Sequence, residues 1–324
     1  MVANASLALI VPTLLQTLTT LNYTVFPDGD GVPHLVHLDN TPLSLEEVDL
    51  LNNDLNTITF TLFTRNNRIG DRLILNDVNS VRNSNLNSAK NTIIITHGWN
   101  SAGNTQACTL VRNGFLNVWD SNVIIVDWST IAKNIYSTAA KSVPNVANHV
   151  ASFVNFLRTK FNLQTSKLKM VGHSLGAHIM SLAAKSVSTY SKVAEVIALD
   201  PAKPLFDTKN ANGRVDKSHA LNVQVIHTCP GLLGLDKSVG TSDFYANNGR
   251  KQPGCDNDLF GACAHGRSYE YYSESITNPR GFPGTSKSFL SVKTTVYMGG
   301  SVLDSNAKGS YNFKTGSKPP YALG

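Results

Sequence analysis

Short apolar runs alternate with longer amphipathic ones along most of the chain. Ile58-Thr59-Phe60-Thr61-Leu62-Phe63 alternates, the two-residue period of a half-buried strand. Thr92–Thr96 is β-branched throughout, and Val123–Asp127, Leu168–Val171, Val193–Leu199 and Val223–Ile226 are near-continuous apolar runs. Strands without a polar face belong in a sheet covered on both sides. Between them, Val146, Val150, Phe153 and Leu157 recur at helical spacing, and Pro144 is read as opening that helix, where a missing N–H costs nothing. Leu175–Lys185, rich in Ala and Leu, is a second helix, while the Asn-, Ser- and Asp-rich residues 66–91 are expected to be loops. Two last strands are expected at Val292–Met298 and Tyr311–Lys314. Strand–helix–strand alternation predicts an α/β fold with a mostly parallel sheet. No repeat and no break in composition divides residues 21–324, which are expected to form one domain.

Composition narrows the class. Of 324 residues, 41% are hydrophobic and only 15% charged, which excludes a disordered chain and a coiled coil. No 18-residue apolar run follows the N-terminus, which excludes a polytopic membrane protein. The net charge is +6, but the basic residues are scattered, so no nucleic-acid partner is expected. A mild positive field suits an anionic lipid surface, and equally a soluble protein that is simply basic. Residues 1–20 carry no charge, and Leu7–Leu15 has the length of a signal-peptide core, although Pro12 interrupts it and no Lys or Arg precedes it. We read this segment as signal-like and the protein as secreted; a structured N-terminus is the alternative. The Asn22-Tyr23-Thr24 sequon would survive cleavage and is a glycosylation candidate, whereas Asn4-Ala5-Ser6 would not survive. Among four cysteines, Cys255 and Cys263 enclose a short segment and suit a disulfide, which leaves Cys108 for Cys229. Two bridges would imply an oxidising compartment, and three connectivities are open.

The candidate chemistry centres on Lys167-Leu-Lys-Met-Val-Gly172-His173-Ser174-Leu175-Gly176-Ala177, where an expected strand runs through Gly-x-Ser-x-Gly into an expected helix. A nucleophile elbow requires that context, with Gly172 and Gly176 keeping the turn free of side-chain clashes and the Leu175 N–H aimed at a developing oxyanion. A serine needs a base and an orienting acid, and in this arrangement the acid and then the histidine follow it in the chain. Asp200 ends the Val193–Leu199 run and precedes Pro201; an ordinary turn-starting Asp would look the same. His219, His227 and His265 are the candidate bases after the elbow. His227 ends a strand, as structural histidines often do. His265 lies in Cys263-Ala-His-Gly-Arg-Ser, read as a short loop pinned by the expected disulfide, and is favoured on that ground. Thr96-His97-Gly98-Trp99-Asn100 follows a strand directly, so the Trp99 N–H is the candidate second oxyanion donor, unless Trp99 is merely a packed aromatic.

These pieces resemble a family. His97-Gly98-Trp99, Gly172-His173-Ser174-Leu175-Gly176, Leu199-Asp200-Pro201-Ala202, Val225-Ile226-His227-Thr228 and Cys263-Ala264-His265-x-Arg267-Ser268-x-x-Tyr271-Tyr272 are together similar to the pancreatic-lipase family of animals, over about residues 24–324. Phe26-Pro27-Asp28-Gly29-Asp30-Gly31-Val32-Pro33 and the ending Ser317–Gly324 look like its insect members. The resemblance implies an α/β-hydrolase fold, a Ser174–Asp200–His265 triad, Trp99 and Leu175 as oxyanion donors, and no cofactor. It implies a glycerolipid substrate taken at a membrane or micelle surface.

Two departures refine that expectation. The family's triglyceride lipases carry a long disulfide-closed lid, whereas only Asp256–Ala262 separates Cys255 from Cys263 here. The loop from Cys229 to Ser242 is also short. Members with both loops short resemble phospholipase A1, so phospholipids are the expected substrate, with triacylglycerols or galactolipids as the alternative. Leu232, Leu233, Leu235, Leu259 and Phe260 could meet acyl chains or simply pack their loops. The chain ends where digestive lipases continue into a β-sandwich, so colipase binding is not expected. His219 stands where the family often has Asp, which puts a structural calcium site in doubt, and no metal is expected. Yolk proteins share the fold without the nucleophile, but the intact Ser174, Asp200 and His265 argue against a non-catalytic lipid binder.

Overall fold

The computed structural model describes residues 16–18, 20–249, 251–286 and 295–323. Most of the signal-like segment, the Asn4 sequon and the start of the expected Val292–Met298 strand lie outside them. Strands β1 (Tyr23–Pro27) and β2 (Pro33–His37) pair as an antiparallel hairpin. The remaining strands are β3 (Thr59–Phe63), β4 (Asp71–Leu73), β5 (Thr92–Thr96), β6 (Asn122–Asp127), β7 (Leu168–His173), β8 (Glu195–Leu199), β9 (Asn222–His227), β10 (Ser242–Ala246), β11 (Pro283–Ser286), β12 (Val296–Tyr297) and β13 (Gly309–Phe313). They form an 11-stranded sheet in the order β12-β11-β13-β10-β9-β8-β7-β5-β6-β3-β4. From β13 to β6 every neighbour is parallel, and the outer strands are antiparallel. The chain leaves β5 toward β6 and then returns to place β7 on its other side. Such a reversal opens a crevice at the carboxyl ends of the strands, where α/β sheets bind ligands.

Helices α1 (Leu45–Asp54), α2 (Val78–Arg82), α3 (Gln106–Val118), α4 (Ser129–Ala132), α5 (Tyr136–Phe161), α6 (Leu175–Val187) and α7 (Ala262–Thr277) connect the strands. The central strands carry apolar side chains on both faces because both faces are covered. Ile94, Met170, Val196 and Val223 pack with Val143, Val146, Val150 and Ile179 of α5 and α6 in one core. Ile93, Ile95, Val171, Ile197 and Ile226 pack with Val111, Phe115, Tyr272 and Ile276 of α3 and α7 in the other. This is the α/β-hydrolase architecture.

Three expectations are corrected. Pro144 does not open a helix; it lies inside α5, which begins at Tyr136. Tyr136, Ala139, Ala140 and Val143 are buried, and that packing outweighs the backbone bond that the proline removes. Residues 66–91 hold a short strand and a short helix as well as loops. The third correction concerns cysteine. Cys255 and Cys263 are bonded, but Cys108 and Cys229 are both free and buried. Cys108 belongs to the core under α3 and α7, and Cys229 to the one under α5 and α6, so the sheet separates them.

Candidate active site

The crevice is lined by the turn of the β1–β2 hairpin, by the segments after β5 and β7, and by residues between β10 and β11. Strand β7 ends at His173 and α6 begins at Leu175, so Ser174 makes the whole turn, at φ 58° and ψ −121°. A non-glycine residue there costs about 1–3 kcal/mol and persists only where its surroundings fix it. Here the Ser174 N–H donates to the Leu199 carbonyl at 3.0 Å, and the Ser174 carbonyl accepts from Ala177 and Ala202 at 3.1 and 3.3 Å. The flanking glycines are steric necessities: a Cβ on Gly172 would lie 2.1 Å from the Gly176 carbonyl oxygen, and one on Gly176 2.4 Å from that of His97. A Cβ on Gly98 would meet the Ser174 Cβ at 2.7 Å, so the loop after β5 can approach the hydroxyl only as bare backbone.

Asp200 follows β8 directly, also at positive φ (40°), and its N–H donates to Ile226 at 2.8 Å. Its carboxylate is fully buried but well satisfied. Oδ1 accepts the Thr228 and Cys229 N–H groups at 2.9 and 3.0 Å, and Oδ2 lies 2.6 Å from the His265 Nδ1. With Oδ2 accepting from Nδ1, Nε2 of the neutral ring is left as an acceptor. Gly234 allows this: a Cβ there would lie 2.5 Å from Asp200 Oδ1.

His265 is in the first turn of α7, which corrects the expected loop. Gly261, at φ 78°, turns the chain into the helix, and the Asp258 carboxylate accepts the Cys263 and Ala264 N–H groups at 3.2 and 2.8 Å. The disulfide and this capping carboxylate therefore hold the imidazole on a rigid element. Phe26 of β1 packs edge-on against the His265 ring at 5.7 Å, and His173 lies 4.4 Å away. Burial, then the neighbouring His265, push the His173 pKa well down, so that ring is neutral.

Two polar atoms stand out. Ser174 Oγ and His265 Nε2 are buried, on residues only 2% and 4% exposed, and neither has a hydrogen-bond partner among the described residues. Both residues line one cleft of about 800 Å³. The Trp99 and Leu175 backbone N–H groups likewise have no partner among the described residues. The Trp99 indole does have one: it donates to Asn134 at 2.8 Å and packs against Phe26 and Tyr136. A hydroxyl, an imidazole oriented by a buried carboxylate and two unpaired amides are the parts an acyl-transfer site uses.

The other expected residues separate cleanly. His227 is fully buried with both ring nitrogens bonded, to the Leu235 carbonyl and the Asp243 carboxylate, each at 2.9 Å. His219 is buried on Ser181 Oγ at 2.9 Å. Leu233 and Leu235 are fully buried, so the expected acyl contact at Leu233 is corrected: it belongs to the core. Leu232 is half-buried against that core, Phe260 is half-buried, and Leu259 is exposed. Asn22 is exposed just before β1. Among the described residues, one group of three could converge on a metal, Cys255, Asp258 and Cys263, but its two cysteines are bonded to each other and offer no thiolate. No described helix is long and apolar enough to cross a membrane.

Sequence reasoning missed Gly234, Asp258 and the β1–β2 hairpin that forms one wall of the cleft. The buried positions 264, 268, 271, 272, 275 and 276 have helical spacing, the signal that would have placed His265 on a helix.

The family described as Lipase matches residues 30–295. The chain is 33% identical over 257 residues to a pancreatic triacylglycerol lipase of Mus musculus, covering 72% of this chain and 55% of that protein. It is 36% identical over 232 residues to pancreatic lipase-related protein 2 of Cavia porcellus, covering 69% and 52%. It is 33% identical over 250 residues to a phospholipase A1 of Vespa crabro, covering 72% and 81%. The chain thus spans about half the length of the pancreatic relatives it matches. A match over that much of the sequence shows that the chain belongs to the lipase family, in its pancreatic-lipase branch.

Proposed function

We propose that the protein is a secreted serine carboxylester hydrolase acting on glycerolipids, and specifically a phospholipase A1. The observation that carries this reading is the convergence of an unpartnered Ser174 Oγ and an unpartnered His265 Nε2 on one cleft, with the His265 Nδ1 held by buried Asp200. In this reading Ser174 Oγ attacks the ester carbonyl carbon while His265 Nε2 takes its proton. Asp200 orients the ring and stabilises the imidazolium. The Trp99 and Leu175 N–H groups bind the tetrahedral oxyanion, where losing one donor typically costs about 10²–10³ in kcat. His265 then protonates the departing lysophospholipid oxygen, and water hydrolyses the acyl-serine with the same base.

The choice of phospholipid over triacylglycerol is supported by the wall of the cleft. Ser101, Asn104, Thr105, Gln106 and Asn257 line it, and the disulfide loop beside it is short. A polar-headed lipid suits those walls better than an oil does. The disulfide supports secretion, since such bonds persist in oxidising compartments. The test is fatty-acid release from phosphatidylcholine and from triolein, with the released position identified. Release from the sn-1 position of phosphatidylcholine, abolished in Ser174→Ala, is expected. Release from triolein alone would overturn the phospholipase assignment, and full activity in Ser174→Ala would overturn the mechanism.

A further inference from the structure

The charge of the cleft opposes that of the molecule. The chain carries a net +6, yet Asp28, Asp30, Asp256, Asp258 and Glu270 line the cleft and, among the described residues, no Lys or Arg does. Three of these carboxylates are occupied. Asp28 is bonded to His34 and to the Asp30 and Val32 amides, Asp258 caps α7, and Glu270 is paired with Arg267 and accepts the Tyr321 hydroxyl. Asp30 and Asp256 are exposed and have no partner among the described residues. Asp30 is on the hairpin turn and Asp256 in the disulfide loop, two segments of the cleft that come close where a Cβ on Gly31 would lie 3.9 Å from that of Ala262.

Acidic side chains alone do not make a site. These share their cleft with Ser174 and His265, whose buried Oγ and Nε2 have no partner among the described residues and so are left for a molecule bound there. We propose that Asp30 and Asp256 select the substrate headgroup, favouring zwitterionic phospholipids whose ammonium end is positive and disfavouring anionic ones. The inference rests on the phospholipase reading above. A compact divalent cation fits less well, because no three of these carboxylates bring oxygens within 4.8 Å of one another. Calcium and magnesium need several oxygens at about 2.0–2.6 Å. A bulky ammonium needs only a diffuse negative field, and Tyr269, an aromatic residue of the kind that attracts cations, also lines the cleft. The net positive charge then draws the protein to anionic membranes, while the cleft picks out the zwitterionic lipids within them.

The test compares phosphatidylcholine, phosphatidylethanolamine and phosphatidylglycerol with identical acyl chains, each dilute in neutral detergent micelles so that the interface carries almost no charge. Phosphatidylcholine and phosphatidylethanolamine are expected to exceed phosphatidylglycerol about 5- to 20-fold in kcat/KM at low salt. The ratio should narrow in 0.5 M salt, where screening falls to a few ångströms. In Asp30→Asn/Asp256→Asn the ratio should fall below about two. In Glu46→Gln/Asp49→Asn, which removes the same charge from an exposed helix elsewhere, it should stay. A wild-type ratio near one, or a ratio unmoved in Asp30→Asn/Asp256→Asn, overturns the inference. An uncharged p-nitrophenyl ester separates the two failures. Its hydrolysis together with equal phospholipid rates defeats headgroup selection alone. Its hydrolysis without any phospholipid release defeats both the phospholipase reading and the inference, and no hydrolysis of either defeats the proposed chemistry.

Discussion

Among the described residues four aspartate–histidine pairs occur, and only one leaves the second ring nitrogen of its histidine buried without a partner. Asp200–His265 and Asp243–His227 are both buried, at 2.6 and 2.9 Å. Yet the second nitrogen of His227 is bonded to the Leu235 carbonyl and its ring stacks on Tyr245 at 4.2 Å, whereas the second nitrogen of His265 faces the cleft unpartnered. His97 resembles His227: it lies 3.2 Å from Asp127 and 3.0 Å from the Gly98 carbonyl, which secures the backbone just before Trp99. His34 meets Asp28 at 2.9 Å near the surface, with its side chain 40% exposed. The pairing therefore does not mark the chemistry. What distinguishes His265 is a buried ring nitrogen left without a partner, on the same cleft as the unpartnered Ser174 hydroxyl. His97 and His227 instead use both ring nitrogens in holding strands and turns together.

Substitutions can break or sharpen that contrast. The largest effect is expected from His265→Ala, a loss of about 10⁴–10⁶ in kcat with the fold retained by circular dichroism. Activity within tenfold of wild type would show that the free nitrogen is not used. Asp200→Asn should cost about 10⁴, because the amide no longer holds the ring in the required tautomer; kcat/KM of the purified variant measures it. His227→Ala should invert the pattern, with about 2–4 kcal/mol lost in urea unfolding as Asp243 is left buried without its partner. The folded fraction of that variant should keep kcat within about tenfold, and a loss as deep as that of His265→Ala would erase the distinction.

The smallest effect belongs to Asp28–His34. Burial alone would push the Asp28 carboxyl up, but its bonds to His34 and to the Val32 and Asp30 amides outweigh this and hold it below the usual 3.8. A depressed carboxylate contributes stability above its unfolded value, and that contribution disappears as pH falls through the folded one. Near the surface it is worth about 0.5–1 kcal/mol. Wild type and Asp28→Asn should therefore differ at pH 6 and converge as the pH falls below the depressed carboxyl's titration in thermal melts, and a gap that widens with acid would refute the assignment.

The central strands were legible because their burial on both faces leaves a continuous apolar run, as in Thr92–Thr96. The start of α5 was not. A proline usually marks a helix boundary, and only the buried packing of Tyr136–Val143 against the neighbouring elements carries the helix through Pro144. The disulfide between Cys255 and Cys263 could be read because a short loop keeps its ends close. The fate of Cys108 and Cys229 could not, because nothing local records that a sheet lies between them. His265 lies 2.6 Å from Asp200, but it is held by a helix with its own capping carboxylate and not by the expected loop, because the helical spacing after it went unread.

By itself the sequence determined the central parallel strands, the helix after Ser174 and the sharp turn between strand and helix there. These are written in neighbouring residues, since the pleat, the helical period and the contact between Gly172 and Gly176 all act within a few positions. Only the tertiary structure decided which histidine shares a cleft with the Ser174 hydroxyl, which cysteines pair and which acids gather in that cleft. Those depend on groups brought together from distant parts of the chain, where a hydrogen bond made or withheld changes what a side chain can do.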